Sequence, residues 1–316
     1  MKHITSSEAN RLIEEQLAEW PMAKGNFEAL GGVRVKDLDV DGMHIKVQFN
    51  PARIVSSSAK VDAKSLKERK CFLCGANRPE VQRGIEWGPD GKYIVLINPF
   101  PIFPRHLTIP DQSHTDQLIL GRIEDMMDLS ADLDEYTVFY NGPKCGASAP
   151  DHMHFQAGKK EGFPVVRNWL NFSKQVAWES ERTGFYVSVD RLPVCFILVS
   201  RDKGEAAAVF ELLYDVMPVK PDDYEPMMNL LVWREDDVWI TCIFPRRELR
   251  PSCYYAEGDA NILISPATVE MAGLFVVPLE KDFKKVTFAD LEKVWKEVSI
   301  TEEEKNELIR KIREEA

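Results

Sequence analysis

The sequence predicts an α+β fold built on antiparallel sheet, and three observations carry that expectation. Short segments that alternate apolar and polar residues recur along the chain, several are separated by turns short enough for hairpins, and helix-like segments stand apart from them. In chain order, Thr5 and Glu8 form a capping-box signal before LIEEQLAEW, so a helix opens the chain. GGVRVKDLDV and GMHIKVQFNP alternate on either side of Asp41-Gly42, which fits a hairpin. The polar stretch VSSSAKVDAKSLKERK then leads to CFLC. KYIVLINP and HLTIP are strands joined by PFPIFPR, ILGRIEDMMDLSADL is helical, YTVFYNG is a strand running into a turn, and HMHFQAG alternates as another strand. The second half has the same texture. CFILVS is a strand, EAAAVFELLYDVM a helix, and MNLLVW with VWITCIFP a hairpin around Glu235-Asp236-Asp237. AGLFVVPL is a strand, FADLEKVWKEV a helix, and Thr301 with Glu304 caps a last helix. KPDDYEP around Asp222 is the best local boundary signal.

Composition bounds the function classes. The 316 residues are 44% hydrophobic and 29% charged, enough for one large or two ordinary domains with a buried core. No stretch approaches the roughly 18 apolar residues of a membrane span. MKHITSSEAN lacks the apolar core of a secretory signal, so a cytoplasmic protein is expected. The net charge of -11, with no basic run carrying interleaved aromatics, excludes a nucleic-acid surface, so a phosphate-bearing ligand needs a local pocket. The six cysteines do not suggest a disulfide framework. Cys195 in PVCFILVS and Cys242 in WITCIFP are expected to be buried strand residues.

Three constellations can carry chemistry. Cys71-Phe-Leu-Cys74 puts two thiolates on one tight turn, which suits a soft tetrahedral metal; two unrelated part-buried thiols are the alternative. Two more ligands are needed, and His106, His114, His152 and His154 all fall in one region of the chain. In Asp151-His152-Met153-His154-Phe155-Gln156, strand alternation would place His152, His154 and Gln156 on one face. An imidazole can attack phosphorus and then leave, and a glutamine amide can meet a phosphoryl oxygen without adding repulsive charge. Just upstream, Asn141-Gly-Pro-Lys-Cys-Gly-Ala-Ser148 contains Gly142 and Gly146, which permit positive φ and hence converging N–H groups for an anion. Asn141, Lys144 and Ser148 could add donors. Cys145 ranks below His154 as a nucleophile, because no acidic residue or histidine is placed in sequence to orient a Cys–His pair.

CFLC, INPFPIFPRHLTIPDQSH, NGPKCGAS and HMHFQ, covering roughly residues 70 to 160, resemble the histidine-triad superfamily. The resemblance is to its branch of galactose-1-phosphate uridylyltransferases, diadenosine tetraphosphate phosphorylases and GDP-hexose phosphorylases. NLLVWREDDVWITCIFPRR and SPATVEMAGLFVVP resemble the C-terminal part of such enzymes more faintly. The resemblance implies a histidine-triad-like antiparallel sheet with flanking helices in two related halves, a catalytic part over 1–180 and a related or degenerate part over 181–316. It implies a nucleotidyltransferase or phosphorylase acting on a nucleoside-diphosphate sugar or dinucleoside polyphosphate, with phosphate or a sugar 1-phosphate as acceptor, working as a monomer or homodimer. His154 matches the nucleophile and Gln156 the residue that steadies the transferred group. Asn98 and Phe100 match the strand that contacts nucleobase and ribose, Asn141 and Ser148 match phosphate-contacting positions beside the loop's Lys144 and Gly146, and Cys71, Cys74, His114 and His152 match structural zinc ligands with spacing C-x2-C-x39-H-x37-H. Asp151 stands where relatives often carry Pro, and Pro99 where they often carry an acidic residue. A hydrolase of the same superfamily and a zinc-stabilised nucleotide-binding protein without catalysis are the rival readings.

Overall fold

A computed structural model describes residues 1–40, 42–54, 69–189 and 191–315. Among the described residues ten strands form one antiparallel sheet. They are β1 (Gly84–Trp87), β2 (Tyr93–Ile97), β3 (His106–Pro110), β4 (Tyr136–Asn141), β5 (His154–Lys159), β6 (Lys174–Glu179), β7 (Thr183–Ser188), β8 (Phe196–Ser200), β9 (Met228–Glu235) and β10 (Val238–Pro245). Their order is β1-β2-β3-β5-β4-β9-β10-β8-β7-β6. From each outer edge inward the two sets of five wind identically, and they meet at the β4–β9 ladder, where Asn141 lies opposite Asn229. The antiparallel sheet, flanking helices and related halves expected from the sequence are thus present. The pairing of Lys174–Glu179 with Thr183–Ser188 puts that segment with the second set.

Each half inserts a helix between its third strand and the next one in sequence, Ile123–Asp132 in the first and Lys203–Val216 in the second. These helices, with Ser6–Glu19 and Glu302–Glu315, cover one face of the sheet. Leu12, Ile13, Met126, Phe210, Leu213 and Ile309 pack there on Tyr140, Phe155, Leu198 and Leu230. Ser6–Glu19 starts at the expected capping box and ends before Pro21, which cannot continue it and starts a second helix, Pro21–Glu28.

A small sheet covers the other face. The expected hairpin pairs 34–40 with 43–49, with Val40 opposite Met43; Gly42 has φ 74°, and Asp41 of its turn lies outside the described residues. The second of these strands pairs in parallel with Leu274–Val277. Ile45, Val47, Phe275 and Trp295 of this layer pack on Phe139, Ile197, Leu231 and Cys242. Phe155 and Ala157 point into the helix-side core, so alternation along β5 turns His154 and Gln156 toward the small sheet. The KPDDYEP segment joins Lys203–Val216 to β9 inside the second half, and its Glu225 is buried. Most of the polar stretch after the hairpin, residues 55–68, lies outside the described residues.

Candidate active site and metal centre

The four expected metal ligands converge. The ligand atoms of Cys71, Cys74, His114 and His152 all lie within 4.8 Å of one another. Cys71 Sγ is 3.3 Å and Cys74 Sγ 3.5 Å from His152 Nδ1, and His114 Nδ1 is 3.2 Å from both Cys74 Sγ and His152 Nδ1. His152 Nε2 donates to the Asp111 carbonyl (2.8 Å), which fixes the tautomer and leaves Nδ1 for a cation. The Asp111 carboxylate is in turn paired with Arg122 at 2.8 Å. Burial pushes the Cys74 thiol up and the His152 imidazole down. The donor chemistry fits a divalent soft cation. Buried Arg78 Nη1 has no hydrogen-bond partner; burial pulls that guanidinium down and the Cys74 sulfur partly offsets this, so a thiolate there would be welcome. Arg69 pairs with Asp151 at 2.6 Å, tying the chain before Cys71 to the residue before His152.

His152 does not share the strand face with His154. β5 begins only at His154, and the turn before it swings His152 into the metal cluster. That turn also gives His154 its tautomer. His154 Nδ1 donates to the His152 carbonyl (2.8 Å), so Nε2 is the nitrogen left with a lone pair. The ring is 3% exposed, and burial pushes its pKa down to about 4, so the imidazole is neutral and nucleophilic near pH 7. Gln117, absent from the sequence reading, fixes the backbone here. Its Oε1 accepts from the His154 N–H (2.8 Å), and its Nε2 donates to the Asn141 carbonyl (3.0 Å) and the His154 carbonyl (3.1 Å).

Gln156 lies on the same face, and His106 orients it. His106 Nδ1 accepts from the Ile102 N–H (3.2 Å), so Nε2 carries the proton that Gln156 Oε1 accepts at 3.0 Å. The Gln156 NH2 is therefore free to donate to a phosphoryl oxygen. Burial, helped by the Arg53 charge, pushes His106 down to about 3, which keeps that proton arrangement single. His106 is thus no metal ligand. Asn98 donates from its backbone N–H to the His106 carbonyl (2.9 Å), and its Oδ1 accepts from the Phe100 N–H (3.0 Å). Phe100 is 54% exposed, an apolar ring left beside this face. Arg53, which no motif announced, donates to the Phe100 carbonyl at 2.9 Å. Glu270, buried nearby and pushed up to about 7 by that burial, feels the same guanidinium.

The loop of residues 141–148 is more tightly built than its glycines suggested. Asn141 Oδ1 accepts from the Thr268 N–H (2.9 Å), and the Thr268 hydroxyl lies 2.7 Å from both that oxygen and the Tyr140 carbonyl. Gly146 has φ 99°, as expected, and a Cβ there would stand 2.4 Å from the Ala267 Cβ, so the position admits only glycine. Gly142 lacks positive φ; it is needed because a Cβ would meet the Met228 carbonyl at 2.7 Å. Lys144 is paired with Asp223 and Ser148 is exposed. Asn141 is tied to His154 through Gln117, whose Nε2 donates to both backbone carbonyls. Cys145 is buried and pushed up to about 12 by that burial, which removes it as a nucleophile. Cys195 and Cys242 are fully buried, as expected; Cys242 lies on β10, whereas Cys195 falls just before β8, which begins at Phe196. A cavity of about 270 Å³ lined by Cys253, Ile262, Lys293 and Glu297 holds none of the expected site residues.

Comparison with known proteins gives the same architecture. Residues 12–159 match a family described as a domain of unknown function, DUF4922. No curated protein matches the chain. Yeast Ap4A phosphorylase Apa2 in complex with AMP is similar at 17% identity and TM-score 0.62, over 95% of this chain and 98% of that one. The same yeast enzyme in complex with Ap4A is similar at 17% identity and TM-score 0.54, over 89% and 97%. No helix among the described residues is long and apolar enough to cross a membrane. Across nearly its whole length the chain has the fold of yeast Ap4A phosphorylase Apa2.

Proposed function

We propose that this chain is a nucleotidyltransferase of the phosphorylase type, using His154 as a covalent carrier and a dinucleoside polyphosphate as donor. The observation that carries the proposal is the pair of fixed tautomers: His154 with Nδ1–H on the His152 carbonyl, and Gln156 with its oxygen on His106. The likeness to a phosphorylase solved with Ap4A favours a dinucleoside polyphosphate over a nucleoside-diphosphate sugar.

In the reaction, the Nε2 lone pair of His154 attacks the α-phosphorus. The bond to the bridging oxygen breaks, and its electron pair leaves with the nucleoside polyphosphate. The resulting cationic imidazole keeps its Nδ1 proton on the His152 carbonyl, which stabilises the charge. The Gln156 NH2 donates to a non-bridging oxygen. An oxygen of inorganic phosphate then attacks the same phosphorus, the P–N bond breaks, and the nucleoside diphosphate leaves with neutral His154 restored. Zinc held by Cys71, Cys74, His114 and His152 would fix the turn that aims His154. The test is product analysis with Ap4A, with and without phosphate. The proposal expects ADP and ATP only when phosphate is present; AMP and ATP from water alone would make the chain a hydrolase.

A further inference from the structure

We infer that Thr268 and Asn229, both supplied by the second half, are positioning residues that set the amide of Asn141 beside His154; the inference rests on the function proposed above. An asparagine amide can sit either way round, and only its NH2 end can donate to a phosphoryl oxygen. Here the choice is forced. The Thr268 backbone N–H can only donate, and it lies 2.9 Å from Asn141 Oδ1; the Thr268 hydroxyl, with one proton, stands 2.7 Å from both that oxygen and the Tyr140 carbonyl. Asn229 adds its NH2 at 3.4 Å. Its own orientation is forced too: Nδ2 donates to the Cys145 carbonyl (2.8 Å), while Oδ1 accepts from Arg246 Nη1 (2.5 Å). Arg246 is a buried guanidinium spread over the carbonyls of Pro266, Glu248, Leu249 and Val298. A chain of one-way donors thus runs from Arg246 through Asn229 to Asn141. The Asn141 NH2 is left with no protein acceptor among the described residues, on a 5% exposed side chain that the β4–β5 register, with Phe139 opposite Gln156, puts on the same face as His154.

The chemical consequence is a donor aimed at the group being transferred. It complements the Gln156 NH2, which reaches the same face from β5.

A double-mutant cycle tests this. Thr268→Val keeps shape and backbone N–H but removes the hydroxyl, and Asn141→Asp keeps the acceptor oxygen but replaces the NH2. The rate of His154 labelling by α-phosphate-labelled Ap4A should fall about tenfold in Thr268→Val, with Thr268→Ser restoring it. In the Asn141→Asp background, Thr268→Val should cost little more, because its target is already gone. Unchanged labelling in Thr268→Val, or costs that multiply independently in the double variant, overturns the inference while leaving the covalent mechanism standing. If the wild type does not label, the mechanism fails; the same cycle is then read on AMP affinity, where coupling supports the positioning role and independence overturns it. A wild type that neither labels nor binds AMP overturns both.

Discussion

β5 and β10 hold the same place in the two windings of the sheet, yet they present opposite chemistry to the same side. Toward the small sheet β5 offers His154 and Gln156, whereas β10 offers Ile240, Cys242 and Phe244, all packed in the core. One scaffold face is therefore either a solid core or a site, depending on a few side chains and the turn before them. In the first half that turn carries His152 of the Cys/His cluster; in the second, the hairpin turn at Asp236 carries no comparable group among the described residues. The second half supplies support instead, through Thr268, Asn229 and Arg246.

The sharpest way to break this contrast is to mutate both strands. His154→Ala should lower turnover by on the order of 10⁴ or more, as removal of a nucleophile does elsewhere. Cys242→Ala on β10 should leave turnover within about twofold and cost roughly 1 kcal/mol of stability. Steady-state kinetics and thermal melts decide it; comparable activity losses would erase the distinction between the halves. Gln156→Ala should follow with a loss on the order of 10²–10³ in kcat. His106→Ala, acting only through Gln156, should cost less and should add little in the Gln156→Ala background.

The proposed metal centre sharpens the comparison at the level of stability. Protein purified without added metal should contain about one zinc per chain by elemental analysis. Cys71→Ser should lower the melting temperature by far more than Cys242→Ala does, since metal binding contributes folding free energy. Absence of metal, with Cys71 and Cys74 freely titratable in the native state, contradicts the assignment.

The smallest effect is a pH dependence. Glu225 accepts from the Tyr140 hydroxyl (2.5 Å) and the Ile119 N–H (2.9 Å) beneath the 141–148 loop, and burial pushes it up to about 7; Glu270 is raised to about 7 likewise. A carboxyl raised above its unfolded value of 4.5 is favoured protonated in the fold. Its contribution is complete below that value and is lost as pH rises through 7, at up to about 1.4 kcal/mol per pH unit for each group. Melts from pH 5 to 8 should fall in this window, and Glu225→Gln should flatten the slope; an unchanged slope removes Glu225 from the account.

The parts of the site legible in the sequence are those written in short local patterns. The Cys-x-x-Cys pair and the His-x-His-x-Gln strand fix spacing within a few residues, and the later His114 completes the cluster. Hairpins at Gly42 and Asp236 were legible for the same reason. What stayed hidden depends on long-range packing. Gln117, His106 as the partner of Gln156, Arg53 and Thr268 gain their roles only when distant segments meet. That Gly146 also makes room for Ala267 is not written in the local sequence either. His152 was placed on the strand because alternation reads through a turn as easily as through a strand.

The covalent carrier is the central claim, and one measurement addresses it most directly. The protein is incubated with Ap4A labelled at the α-phosphate, without phosphate, then denatured and digested. Acid-labile, base-resistant label mapping to His154, absent in His154→Ala and discharged by inorganic phosphate, is the predicted result. Phosphate-dependent turnover with no label on His154, or full turnover in His154→Ala, contradicts it.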